Sequence, residues 1–331
     1  MRRREFIAGL GAAFGAAVWP LRVGAQAERT RRIGVLMSWA AGDPESLVRL
    51  AAFRDGLEKL GWREGHNLRL DVRWVTSDTG LTQAFARELV ALQPDIILSP
   101  TTPTTTALLQ HTRAIPVIFV AVSDPVGSGF VSKFSEPGSN VTGFINVEPT
   151  MAGKWLELLK EIAPRVERIA FLFNPATAPY AEYYLGPFKT AAASLRVQAV
   201  AAPVYDASTL ESAIAALAHE PNGGLVLMPD TFLLNHRAEI TSLAARHAVP
   251  AIYPFRQFAE VGGLISYGND AIDNYRRAAI YADRILNGAK PSELPVQAPV
   301  KFELVVNLKS AKALGLEVPL HLQQRADEVI E

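Results

Sequence analysis

The feature that most constrains the fold of this chain is an alternation of short apolar runs with longer amphipathic segments. Residues 33–37 form a nearly continuous apolar run, which is typical of a strand that is buried on both faces of a sheet. Residues 45–60 follow with apolar side chains at helical spacing, and Gly61 ends that pattern. Repeated alternation of this kind predicts a parallel sheet with helices on both faces.

The alternation occurs in two series, which predicts an α/β fold built from two doubly wound units. The break between the series lies near residues 146–151. The strands predicted for the first series are residues 33–37, 67–75, 96–98 and 117–122, and a threonine-rich loop is predicted after the third. Those predicted for the second series are residues 168–173, 197–202, 225–228 and 251–253, followed by strands at 264–267 and 303–306.

The N-terminal segment has the pattern of an export signal. Three arginines precede an apolar run at residues 8–18, which is shorter than the roughly 20 residues that cross a bilayer, and a small-residue end leads to Ala25. Residues 3–7 resemble the twin-arginine export motif. We therefore expect a signal peptide over residues 1–25 and a periplasmic protein. A lipoprotein is excluded because the sequence contains no cysteine to carry the lipid.

Composition and missing motifs exclude several functions. A chain without cysteine has no disulfide framework, thiol nucleophile or cysteine-ligated metal. Its 33 basic and 33 acidic side chains give no net charge, so we expect no nucleic-acid partner. None of its six histidines has a recognisable metal-ligand spacing, and no nucleophile elbow or phosphate-binding loop is present. We expect neither a metal nor a cofactor, and no enzymatic activity.

Polar and aromatic residues collect where the predicted strands end. Ligands of open parallel sheets bind outside the carboxyl ends of the strands, so these residues are candidate ligand contacts. They are Ser38, Trp39, Thr101, Thr102, Ser123, Asp124, Asn174, Tyr180, Asp230, Tyr253, Asn269 and Asp270. Because no lysine or arginine is among them, the set predicts a neutral or zwitterionic small molecule.

Each residue type in this set has a role in such a site. Hydroxyls and helix N-terminal amides would bind a carboxylate, Asp124 or Asp230 would bind an ammonium group, and aromatic rings would stack on an apolar body. An equally good explanation of Ser38, Thr101, Ser123 or Asp230 is that each caps the helix that follows it. Both roles can hold for one residue.

Several sequence blocks carry a family resemblance. Residues 33–36 (IGVL), 53–57 (FRDGL), 122–127 (VSDPVG) and 137–143 (PGSNVTG) occur in this order, followed by Ile252-Tyr253-Pro254 and residues 309–316. Together they resemble the ABC transporter substrate-binding proteins of the tryptophan/tyrosine-binding type. The resemblance covers essentially the whole chain after the predicted signal peptide.

The resemblance implies a fold like that of type I periplasmic binding proteins, in which three crossovers join two lobes and the ligand lies between them. Residues 30–146 and 267–293 would form lobe 1, residues 147–266 and 294–331 would form lobe 2, and the segments 138–144 and 267–268 would be crossovers. The implied ligand contacts are Thr101 or Thr102, Ser123 and Asp124 in lobe 1, Asn174 and Asp230 in lobe 2, and Tyr253 with Asn269 or Asp270 near the hinge. The first strand tip, with Ser38 and Trp39, varies in such families.

The implied function is capture of a small zwitterionic or carboxylate ligand, such as an aromatic amino acid, between the two lobes by hinge closure. The closed protein, a monomer, would then dock on an ABC permease in the inner membrane. One alternative is a sensor that presents its ligand to a receptor kinase. A regulator of the lactose-repressor type would need a helix-turn-helix before the first strand, where the signal-like segment lies. The last alternative is an exported α/β enzyme with Asp124 and Asp230 facing each other in a cleft.

Overall fold

The computed structural model describes residues 29–76, 78–219 and 222–331. The predicted signal peptide and its twin-arginine motif lie outside these residues. The described chain contains two sheets, one of five strands and one of seven. All strand pairs are parallel except β10 with β11, defined below. The predicted α/β architecture with two parallel-sheet lobes is therefore confirmed.

The first sheet has the strand order β2-β1-β3-β4-β5. Its strands are β1 (Arg31–Met37), β2 (Leu68–Trp74), β3 (Ile96–Thr101), β4 (Val117–Val122) and β5 (Val141–Ile145). The helices between them are α1 (Pro44–Lys59), α2 (Thr79–Ala91) and α3 (Thr102–His111).

The second sheet has the order β12-β11-β10-β9-β8-β6-β7. Its strands are β6 (Arg168–Phe173), β7 (Gln198–Pro203), β8 (Gly223–Leu227), β9 (Ala251–Tyr253), β10 (Ile265–Asn269), β11 (Phe302–Asn307) and β12 (Glu328–Ile330). The helices from residue 151 onward are α4 (Met151–Ile162), α5 (Ala181–Ser194), α6 (Ala207–Ala218), α7 (Thr231–Asn235), α8 (Arg237–Arg246), α9 (Arg256–Glu260), α10 (Ala271–Leu286), α11 (Leu308–Ala313) and α12 (Leu320–Arg325).

Helix α10 lies in sequence between β10 and β11 of the second sheet but packs on the first sheet. The side-chain amide of Asn274 donates to the carbonyl of Val120 in β4 at 2.9 Å. At the other end of α10, Asp283 accepts a hydrogen bond at 2.9 Å from the indole of Trp62, which follows α1. The chain therefore crosses between the lobes at residues 146–150, at residue 270 and just after residue 298.

The lobe boundaries differ from those in the sequence analysis at two places. Residues 267–269 belong to β10 of the second sheet, and the segment at 294–297 lies against β5 of the first. Gln297 exchanges backbone hydrogen bonds with Gly143 and Ile145, both at 2.9 Å. The segment 138–144 is largely strand rather than crossover, because Gly143 brings β5 directly against β4. A Cβ atom at that glycine would lie 2.0 Å from the carbonyl oxygen of Phe119.

The threonine-rich segment after β3 forms helix α3 instead of the predicted loop. The segment carries Pro103 in its first turn, where proline favours a helix start. The hydroxyls of Thr105 and Thr106 donate to the carbonyls of Thr101 and Thr102, four residues back, at 2.8 and 2.9 Å. These bonds give the threonine hydroxyls hydrogen-bond partners within the helix. They offset the low preference of β-branched residues for helical backbone. None of the helices described here is long and apolar enough to cross a membrane.

Candidate functional site

Two adjoining cavities lie between the lobes, at the carboxyl ends of the central strands. We call the first the Trp39 cavity and the second the Thr79 cavity, each after a residue of its lining. Thr101 of lobe 1 and Thr231 of lobe 2 line both cavities. Each therefore draws on both lobes, as a ligand site in a cleft requires.

Lobe 1 supplies an aromatic ring and hydroxyl groups to the Trp39 cavity. Trp39 is buried in the loop after β1, and the guanidinium of Arg49 lies 4.6 Å from its ring centroid. Thr101 and Thr102 lie where β3 passes into α3. The Thr102 hydroxyl accepts from the Ser123 amide at 3.0 Å and lies 3.2 Å from the Ser123 carbonyl, so it ties the ends of β3 and β4 together.

Lobe 2 supplies a buried carboxylate, Asp230, at the end of β8. It accepts hydrogen bonds from the Asn174 amide at 2.6 Å, the Thr177 hydroxyl at 2.5 Å and the Phe232 amide at 2.7 Å. Burial raises the pKa of Asp230 to about 6, and these donors oppose that rise. The carboxylate thus caps α7 and holds the loop after β6 in place.

Aromatic rings complete the lobe 2 wall. The Tyr180 hydroxyl donates to the Pro229 carbonyl at 2.7 Å, which fixes its ring beside Asp230. Phe255, after β9, also lines the Trp39 cavity. Rings from both lobes therefore face a common space, and an apolar ligand body could stack there.

Six of the residues predicted from sequence line these cavities. Trp39, Thr101, Thr102, Tyr180 and Asp230 line the Trp39 cavity. Ser38 lines the Thr79 cavity, and its buried hydroxyl has no hydrogen-bond partner among the described residues.

The other six line neither cavity, and local contacts account for most of them. Asp124 and Asp270 accept from the amides of Gly127 and Asp273, so both close turns or cap helices. The Asn174 side chain accepts from the Ala176 amide in the same way, and the Ser123 hydroxyl pairs with Tyr184 of lobe 2 at 3.0 Å. The remaining two of the six differ from this pattern. Tyr253 stacks on Phe258 and lines a separate cavity. Asn269 is buried, and neither the oxygen nor the nitrogen of its side-chain amide has a hydrogen-bond partner among the described residues.

Three polar residues of the Trp39 cavity were missed in the sequence analysis. Arg49 lies within α1, Asn146 in the first crossover and Tyr275 within α10. Each is buried and carries one polar atom without a hydrogen-bond partner in the described chain: Arg49 Nη1, Asn146 Oδ1 and the Tyr275 hydroxyl. The sequence signal for Arg49 is its place between Ser46 and Phe53 on the buried stripe of α1, where a charged side chain is unexpected.

The described residues contain no group of three or more histidine or carboxylate side chains arranged to hold a metal ion. The side chains that line the Trp39 cavity offer hydrogen-bonding groups, charged groups and aromatic rings.

Comparison with protein families gives one match over most of the chain. The family model described as ABC transporter substrate binding protein matches residues 43–330. A curated relative, a tyrosine-binding protein of Clostridioides difficile, is 25% identical over 268 residues, which cover 80% of this chain and 76% of the relative.

Solved structures agree with this match. A conserved domain protein of Vibrio cholerae is 28% identical with a TM-score of 0.84, over 91% of this chain and 100% of that one. An ABC domain of Streptococcus pneumoniae in complex with L-Trp is 25% identical with a TM-score of 0.84, at the same coverage. The ligand-free, open structure of a Clostridium difficile substrate-binding protein is 25% identical with a TM-score of 0.68, over 91% of this chain and 99% of that one.

Proposed function

The chain belongs to the family of ABC transporter substrate-binding proteins, and from this premise we propose that it captures an aromatic amino acid in the Trp39 cavity. We further propose that capture closes the two lobes, and that the closed protein delivers its ligand to an importing permease in the inner membrane. In this role the protein is exported and acts in the periplasm as a monomer.

The observation that carries this proposal is the composition of the Trp39 cavity. Trp39 of lobe 1 and Tyr180 and Phe255 of lobe 2 supply rings to its lining, and other residues of the lining carry buried polar atoms that have no hydrogen-bond partner among the described residues. A ligand with an aromatic body and a zwitterionic head would contact both kinds of surface at once.

The relatives support the same ligand class. One is a tyrosine-binding protein and another holds L-Trp. The TM-score of 0.84 with the L-Trp complex exceeds the 0.68 with the ligand-free, open structure, at equal identity and coverage of this chain. The lobe arrangement described here is thus nearer to that of the liganded relative, which supports a closing motion in this chain.

The two-sided cavity supports the proposed hinge closure. A ligand that contacts both walls binds the closed form more tightly than the open form, so it shifts the population toward closure. Three short crossovers permit such a motion without unfolding either sheet.

Isothermal titration calorimetry with L-tryptophan, L-tyrosine, L-phenylalanine and L-leucine tests the proposal. We expect binding of at least one aromatic amino acid and much weaker binding of L-leucine. At 100 times its dissociation constant, the ligand should add about 2.7 kcal/mol to the free energy of unfolding. Binding of none of the three aromatic amino acids would contradict the proposed ligand class.

A further inference from the structure

Arg49 is a buried cation in the lining of the Trp39 cavity. Its side chain is 3% exposed, and Nη1 has no hydrogen-bond partner among the described residues. A buried guanidinium is costly unless its donors are paired, so this atom marks a place where an acceptor would be strongly favoured.

The rest of the Arg49 side chain is fixed by neighbours. Its guanidinium lies over Trp39, and Nη2 lies 3.4 Å from Oε2 of Glu45, one helical turn earlier. Gln257 of lobe 2 donates to the same Glu45 oxygen at 2.6 Å. Glu45 therefore holds one side of the guanidinium, and Nη1 is left as a donor without a partner among the described residues.

Two further residues of the same lining carry an unused polar group. Tyr275 and Asn146 line the Trp39 cavity, and the Tyr275 hydroxyl and Asn146 Oδ1 are buried and have no hydrogen-bond partner among the described residues. Burial raises the pKa of Tyr275, and the nearby Arg49 charge partly offsets that rise, so the hydroxyl stays protonated and can donate. The wall thus combines a cationic donor, a neutral donor and an amide acceptor.

We propose that Arg49 and Tyr275 form the subsite for the ligand's carboxylate, and that Asn146 Oδ1 accepts from its ammonium group. The proposal rests on the proposed function and narrows it to free α-amino acids, as opposed to amines, esters or amides. It moves the carboxylate contact from the strand-tip hydroxyls to helices α1 and α10. Guanidinium and carboxylate form charge-assisted hydrogen bonds, which are the strongest that a neutral-pH site offers. Asp230, already engaged by three donors of its own lobe, then serves to shape the lobe 2 wall.

The test pairs variants with two probes that differ only in the carboxylate, L-tryptophan and tryptamine. In the wild type, L-tryptophan should bind far more tightly than tryptamine. Arg49→Gln should weaken L-tryptophan binding roughly 10- to 150-fold, as expected for hydrogen bonds to charged groups, and leave tryptamine binding unchanged. Tyr275→Phe should weaken L-tryptophan binding by roughly 2- to 12-fold, and it too should leave tryptamine binding unchanged.

Arg54→Gln is the matched control. Arg54 lies in the same helix, is exposed, and pairs with Glu64 at 3.2 Å, away from the cavity. The Arg54→Gln variant should bind L-tryptophan and tryptamine as tightly as the wild type does. Thermal unfolding without ligand checks that the Arg49 variant is folded; should it fail to fold, Arg49→Lys and Tyr275→Phe still report on the subsite.

Two outcomes overturn the inference and leave amino acid capture intact. One is an equal loss of L-tryptophan and tryptamine binding in Arg49→Gln, which would mean that Arg49 only supports the cavity wall. The other is wild-type binding of tryptamine as tight as that of L-tryptophan. A wild type that binds no carboxylate probe overturns the inference together with the proposed ligand class.

Discussion

At the scale of single residues, Asp230 shows how one side chain serves both the fold and the cavity. It is 3% exposed, and its three hydrogen-bond donors come from Asn174 and Thr177 in the loop after β6 and from Phe232 in α7. Desolvation nevertheless dominates, so its pKa rises from 3.8 to about 6. The carboxyl group is therefore protonated more readily in the folded protein than in the unfolded chain.

This pKa shift predicts a pH-dependent stability. The stabilisation by Asp230 is complete only well below pH 4 and is lost as pH rises through about 6, because the folded state binds the proton more tightly. Relative to Asp230→Asn, the wild type should lose about 2 kcal/mol of unfolding free energy between pH 4 and pH 7. Urea denaturation at both pH values measures this difference.

Asp206→Asn is the control, because it should show the opposite sign. Asp206 is an exposed cap of α6 whose pKa is lowered by the amide and hydroxyl of Thr209. Its stabilising effect is present at neutral pH and is lost as pH falls. If the difference in unfolding free energy between wild type and variant changed with pH in the same direction for Asp230→Asn and Asp206→Asn, this result would argue against a specific role of Asp230 burial.

The cavity residues were only partly predictable from sequence, for a geometric reason. Strand-tip reasoning finds side chains that follow strands, such as Trp39 and Asp230. It misses Arg49 and Tyr275, which reach the cavity from within helices that pack beside the tips. It also selects capping residues such as Asp124, because capping and ligand binding use the same residue types at the same positions.

At the scale of elements, the start of helix α1 makes two direct contacts with lobe 2. Asp43, its N-cap, accepts from Arg237 at the start of α8 at 3.2 Å, and Glu45 accepts from Gln257 of α9 at 2.6 Å. Both pairs join lobes that hinge closure would bring together. They therefore favour the closed form without any ligand atom.

Arg237→Gln should weaken ligand binding modestly, by about 2- to 5-fold, because the closed form loses a partly exposed ion pair worth about 0.5–1 kcal/mol. Calorimetry with L-tryptophan measures the change. The control is Arg246→Gln at the other end of α8, where Arg246 pairs with Glu211 inside lobe 2 at 3.6 Å. Equal affinities in the two variants would show that the Asp43–Arg237 pair does not contribute to closure.

Hydrophobic periodicity predicted most of the elements, and its errors have physical causes. The helix at α1 and the strand at β4 follow from apolar spacing alone. The helix at α3 does not, because its threonines favour extended backbone until their hydroxyls bond the preceding turn. Strand β5 was interpreted as a crossover because the family resemblance and the break between the two series placed a connection there, and only contact with β4 explains Gly143.

At the scale of the whole molecule, the connections between lobes favour a rigid-body motion. Each lobe keeps its own sheet, and only three short segments join them. Two of these segments are tied together, since the Asp270 amide donates to the Lys301 carbonyl at 3.0 Å. A rotation about this region would separate the walls of the Trp39 cavity and leave the interior of each sheet unchanged.

The absence of cysteine from the sequence makes this motion directly measurable. Leu47→Cys in α1 and Val261→Cys after α9 place two exposed labelling sites on opposite lobes. We expect saturating L-tryptophan to raise the energy-transfer efficiency between dyes at these sites, because the ligand favours the form in which both walls contact it. The control pair is Leu320→Cys with Val261→Cys, both exposed and both in lobe 2, and its efficiency should not change.

An unchanged efficiency for the first pair, under conditions where calorimetry detects binding, would mean that the ligand enters a preformed cavity. The affinity would then owe nothing to a shift between open and closed forms, and the Asp43–Arg237 pair would be expected to have no effect on binding.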